Sequence, residues 1–258
     1  MISTSTTRSL AIGAPGPETP ASPPIADAVP SEADAVARRR LMTWLSPAFP
    51  VSAFSYSHGL EWAVGASDVR DMATLVAWIE DILRYGSGRN DAILFVHAWR
   101  AAAAGDRDPL RAIAALGTAL AVSRERHLEA TAQGAAFLAA VVTAWPAPVL
   151  EALTESLPDG VPYPVAVAAA TAAHRIALDA ALQAYVLAFA ANLVSAGMRL
   201  VPLGQSDGLR ALARLDPVVA AVAAVAPTLT LDDLGGGVVR ADIAAMRHET
   251  QYTRLFRS

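Results

Sequence analysis

The stretch DMATLVAWIEDILRY, residues 71–85, places Met72, Leu75, Val76, Ile79, Ile82 and Leu83 at helical spacing, with Asp71, Glu80, Asp81 and Arg84 elsewhere. Apolar residues recurring every three or four positions line one side of an α-helix and leave the charged ones to solvent. Gly86-Ser-Gly88 closes it. Downstream, Asn90 or Asp91 can cap a helix that buries Ile93, Leu94, Val96 and Trp99, and Pro109 opens another reaching Val122. Ser123 begins a long helix to Trp145, with Gly134 inside it where two elements can approach closely. Pro146 and Pro148 stop it, and residues 157–164 form a turn region.

The most apolar span, 165–200, reads as two core helices meeting near Asp179. His174, Arg175, Asp179, Gln183 and Asn192 interrupt each window of about 18 residues that a membrane crossing requires. A Pro/Gly loop over 200–208 precedes short helices at 206–215 and 217–226, and a second loop, 228–237, ends in three glycines. Upstream, Ser31-Glu-Ala-Asp34 resembles a capping box and starts a helix to about Leu45. No run alternates as a strand does. The predicted fold is all-α: a single-domain helical bundle of about eight to ten helices without a sheet. It occupies residues 35–258, with 236–258 a flexible segment suited to partner binding and 1–34, rich in Ser, Thr, Pro and Ala, a disordered arm.

Composition supports this and narrows the function. The 258 residues are 54% hydrophobic, inflated by alanine, the strongest helix former. Cysteine is absent, which excludes disulfides, thiolate metal sites and cysteine nucleophiles. All 20 basic residues are arginine, so no Walker lysine or lysine Schiff base exists. A net charge of −4 offers no basic face for nucleic acid.

The run SPAFPVSAFSYSHGLEW, residues 46–62, follows neither the helical nor the strand period. Pro47 and Pro50 end the preceding helix. Phe49, Val51 and Phe54 are too apolar for a solvated linker, while Ser55, Ser57, Gly59 and Glu61 suit a contact surface. A rigid connection and a partner surface both fit this loop. The segment RLVPLGQSDG, 199–208, sets Arg199 at a helix end before a polar loop carrying Gln205 and Asp207. Arg199 can bind the last helical carbonyls, or the loop can be a rigid contact.

No catalytic set is self-sufficient. The five histidines, His58, His97, His127, His174 and His248, lack metal-ligand spacing. His248-Glu249 begins like a zincin helix, but Tyr252 stands where the second ligand belongs. Asp232 and Asp233 before Gly235 read as a turn, and no Gly-x-Ser-x-Gly elbow occurs. A helical hydrolase using His248 and Glu249 is the competing enzymatic reading.

Four motifs, SPAFPVSAFSYSHGLEW, Ser123-Arg-Glu125, RLVPLGQSDG and the closing HETQYTRLFRS, resemble in that order the urease accessory protein UreF family over residues 40–258. Ser52 stands where the family usually has glycine, His58 where it has glutamine, and Leu209 where glutamine commonly follows Asp-Gly. The resemblance implies an all-α, cytoplasmic homodimer without activity, cofactor, bound metal, nucleic-acid partner or membrane. It implies a bridge between UreD (UreH) and the GTPase UreG that regulates GTP-dependent nickel delivery to the urease apoprotein. Taken with the reading of the two loops, it leads us to expect partner-binding residues at Phe49, Phe54, Ser55, Tyr56, His58 and Glu61, at Arg199, Gln205 and Asp207, and at His248, Gln251, Tyr252, Arg254 and Phe256. Arg254 matches an arginine the family uses in assembling the complex.

Overall fold

The Asp71 carboxylate accepts a hydrogen bond from the Thr74 amide at 2.8 Å, and Thr74 Oγ1 accepts one from the Asp71 amide at 3.1 Å. This reciprocal cap satisfies two donors that a helix start otherwise leaves open and fixes the beginning of α3, Met72–Tyr85. The computed structural model describes Met1 and residues 31–156 and 160–258, with only the backbone of Thr154 and Ser156. Most of the expected N-terminal arm lies outside the described residues, and Glu32, Ala33 and Asp34 already belong to α1.

Among the described residues there are eleven α-helices and no strand. They are α1 Glu32–Trp44, α2 Leu60–Gly65, α3, α4 Ser87–Ala104, α5 Arg107–Ala119, α6 Arg124–Ala144, α7 Pro148–Ser156, α8 Tyr163–Ala173, α9 Leu178–Leu200, α10 Gln205–Val225 and α11 Val239–His248. Short 3₁₀ turns occupy Ala53–Ser55, Ala226–Thr228 and Leu231–Asp233. The all-α class is as expected, and the count exceeds the expected range. One addition is α7, which Pro148 initiates instead of terminating α6: proline lacks only an N–H that a first turn leaves unbonded anyway.

Helix α8 is buried on every side from Pro164 to Ala172, as an unbroken apolar run demands, and α4 and α6 pack along it. Its alanines let these neighbours come close. Where the chain enters α8, a Cβ at Gly134 of α6 would overlap the carbonyl oxygen of Val161, so the anticipated close approach is to this incoming segment. Trp44 closes the far end of α1, fully buried with ring centroids 6.1 Å from Phe137 and 5.7 Å from Trp145.

Two boundaries differ from the sequence reading. Helix α4 begins at Ser87 and runs through Asn90 and Asp91, which therefore do not cap it. Helix α10 continues through Pro217 where two short helices were expected. An interior proline costs about 3 kcal/mol, but Leu215, Val218, Val219 and Val222 are buried on both sides of it, against α9 and α3. Burial of four such side chains is worth roughly 6–12 kcal/mol and carries the helix across.

Helix α9 also departs from expectation. Its 23 residues keep Asp179, Gln183 and Asn192 yet are long and apolar enough, by length and composition, to cross a membrane. Half of its most apolar window is buried inside the helical body, between α10, α3, α4, α8 and α2. Isolated polar residues do not lower the mean hydropathy of so apolar a helix below that of a span.

Candidate partner-binding site

The loop 46–59 turns through two left-handed residues, Ser52 at φ 56° and His58 at φ 57°, before Gly59 at φ 75° leads into α2. Gly59 also has a packing reason. A Cβ there would lie 2.5 Å from the amide nitrogen of Ala245, so α11 crosses α2 against bare backbone. That crossing delivers the segment after α11 to the acidic side chains of α2 and α6.

Glu61 of α2, only 8% exposed, receives it. Its Oε1 accepts the Leu255 amide at 2.7 Å and its Oε2 accepts the Phe256 amide at 2.9 Å and faces His248 Nε2 at 3.1 Å. The other nitrogen of His248, Nδ1, faces Glu125 Oε2 at 2.6 Å, and Glu125 Oε1 accepts from Arg254. A fully buried imidazole thus bridges two carboxylates and donates to both only when both nitrogens carry hydrogen.

One turn further along α6, Glu129 is 2% exposed and pairs with Arg126. It also accepts from Ser258 Oγ at 2.6 Å and from Gln133 Nε2 at 3.3 Å. Burial by itself would raise its carboxyl, but Arg126, His58 and Ser258 hold it at about 2. His58 Nδ1 lies 2.7 Å from Glu129 Oε1, and its ring meets Phe189 edge-on at 4.9 Å. Burial, then Arg126, lowers the His58 pKa against the pull of Glu129. Ser57 completes the cluster, its amide donating to the Ser258 carbonyl at 2.8 Å.

The expected contact residues divide accordingly. Glu61, His58, His248, Arg254 and Phe256 come together, and Ser55 joins them by accepting the Arg257 amide at 2.8 Å. Tyr56 is buried beside them and Phe49 packs its ring 5.4 Å from Phe137, whereas Phe54 stands 62% exposed. Arg199 holds its guanidinium 4.3 Å above the buried Phe256 ring, linking α9 to the C-terminal segment. Its Nε also reaches the Ser195 carbonyl at 3.4 Å, the helix-end contact. Asp207 caps α10, accepting the Gly204 amide at 3.2 Å and Arg210 at 2.7 Å, and neighbouring Gln205 is exposed, apart from the cluster. Gln251 donates to the Thr253 carbonyl at 3.0 Å, and Tyr252 is fully exposed.

Ser57, read as suited to a contact surface, is part of the cluster, whereas Glu125, Arg126, Glu129 and Ser258 were not among the expected contact residues. Their signal was present: carboxylates at positions 125 and 129 lie on one face of α6, and like charges so placed repel unless cations reach them. The cations come from Arg126 and from more than a hundred residues away, which spacing within α6 does not reveal.

The residues of the enzymatic reading are engaged in separate tasks. His248 points inward between its two carboxylates, while Glu249 Oε1 accepts the amides of Arg124 at 2.6 Å and Glu125 at 3.3 Å at the start of α6. Among the described residues no group of three His, Cys, Asp or Glu side chains is arranged to hold a metal ion. What this site can do is clasp a chain segment. Around that clasp Val239, Ile243 and Met246, spaced along the outer side of α11, and Leu255 remain exposed.

The family model described as UreF matches residues 69–216. The chain is 54% identical over 229 residues to the urease accessory protein UreF of Xanthobacter autotrophicus, covering 88% of this chain and 94% of that protein. It is 52% identical over 218 residues to the same protein of Methylobacterium sp. (84% and 87% covered) and 51% identical over 235 residues to that of a Bradyrhizobium strain (91% and 98% covered). This chain belongs to the UreF family.

Proposed function

We propose that this protein is a urease maturation factor that works by assembling other proteins and carries no catalytic step of its own. In this reading it is a cytoplasmic homodimer that bridges UreD (UreH) and the GTPase UreG and regulates GTP-dependent nickel delivery to the urease apoprotein. The relatives' names support the maturation role. One observation carries the contact role: buried Glu61 and partly buried Glu125 fix the C-terminal segment in place, while its apolar side chains Val239, Ile243, Met246 and Leu255 face outward. Exposed apolar side chains on a rigid support are what a protein interface requires. Residues 236–258 and the loop 46–62 are the proposed partner surface, on a single domain covering 35–258.

Co-expression with UreD and UreG followed by affinity capture tests this. The full chain retains UreD, and UreG joins only when UreD is present. Loss of UreD retention by the full chain would sink the reading.

A further inference from the structure

A second site lies deeper, between α4, α6, α8, α9 and the 46–58 loop, where a cavity of about 400 Å³ opens. That volume lies within the range of small-molecule pockets. Aromatic side chains stand among the small, aliphatic and polar residues of its walls: Tyr163 and Tyr185 lie 5.8 Å apart by ring centroid, and Phe189 and the exposed Phe54 also line it. Its charged groups do not balance. Asp91, Glu129 and Asp242 line it, against one cation, Arg126, which is already paired with Glu129. His58 adds no reliable positive charge, since burial favours its neutral form.

Asp91 and Asp242 are left over, and of the two Asp91 is bonded to a tyrosine of the cavity wall. Its Oδ2 accepts the Tyr185 hydroxyl at 2.9 Å, and among the described residues the carboxylate has no other hydrogen bond. Arg126 pulls on this carboxylate too but is shared with Glu129, so Asp91, with a single neutral donor, has no cation of its own. A metal ion does not fit the requirement, because no three ligating side chains converge there. An organic cation fits both parts of the site, its charge on Asp91 and its apolar body among the ring faces.

We propose that this cavity binds a small organic cation, an aromatic or alkyl amidinium or ammonium, with Asp91 as the charge partner and Tyr163, Tyr185 and Phe189 as the ring walls. The site shares His58, Arg126 and Glu129 with the C-terminal clasp, but Asp91 and the two tyrosines take no part in the clasp, and its existence does not rest on the assembly role.

Benzamidine is the probe, titrated calorimetrically into the full chain beside neutral benzamide, its near-isostere. Benzamidine binds at one site per chain, benzamide at least about tenfold more weakly, and Asp91→Asn weakens benzamidine by a similar factor. Ala188→Trp, which fills the cavity wall and leaves Asp91 in place, abolishes binding. Equal affinity for the two probes, undiminished benzamidine binding by either folded variant, or no binding by the wild-type chain would each overturn the proposal. The benzamide comparison needs no variant and stands even if neither substitution folds.

Discussion

Asp91 shows how much one side chain can cost a fold. Burial pushes its carboxyl from the ordinary 3.8 up to about 6, against the opposing pull of Arg126 and the Tyr185 hydroxyl. The folded chain therefore holds this proton more tightly than the unfolded chain does. Its stabilising contribution is complete below pH about 4 and is lost as pH rises through about 6. Asp91→Asn, which keeps an acceptor for Tyr185, raises stability at pH 7.5 by on the order of 2 kcal/mol and has little effect at pH 4. Urea midpoints at the two pH values decide this, and an equal change at both would contradict it. Ser52 carries a smaller strain. The family's usual glycine predicts a left-handed backbone there, and Ser52 adopts φ 56°. Ser52→Gly relieves that strain and stabilises by roughly 0.5–1 kcal/mol, read as a shift in thermal midpoint.

At the scale of elements, the C-terminal segment and the pair α2 and α6 depend on one another. From composition, residues 240–258 have few large apolar side chains and their loss is expected to cost little. The structure gives a different reason for a larger cost: His248, Arg254, Ser258 and two backbone amides partner Glu61, Glu125 and Glu129. Glu61→Ala leaves His248 with one carboxylate and the Leu255 and Phe256 amides without acceptors. Amide exchange at those two residues accelerates at least about tenfold, matching a loss of about 1.5–3 kcal/mol locally, while α3, α4 and α8 keep their protection. Unchanged exchange at Leu255 and Phe256 would refute the clasp. Deleting residues 240–258 leaves the far-ultraviolet helical signal of the body but lowers the denaturant midpoint and abolishes UreD retention; unchanged UreD retention would remove the segment from the partner surface. Much of this was legible beforehand from His248 to Phe256, because the closing motif stands out against the alanine-rich background. Glu129 was legible only in part: its position one turn from Glu125 on α6 signals that cations must reach the pair, but not which residues far along the chain cover it.

For the molecule as a whole, periodicity located the helices better than it located their ends. The 71–85 helix and the core pair α8 and α9 follow from the apolar spacing, and the glycines and Ser123 mark several starts and stops. Pro148 misled because a proline that ends one helix suits the first turn of the next. Pro217 misled because a local breaker is outweighed where long-range burial is large, and burial is a property of neighbours that the local sequence does not name. The cavity beside Asp91 was invisible for the same reason, its walls coming from residues as far apart as Phe54 and Phe189. The bond between Ser57 and Ser258 joins positions 201 residues apart. A ribosome making this chain releases the loop 46–62 well before the residues that cover Glu61 and Glu129. Until residue 258 has emerged, the nascent protein carries an open acidic notch.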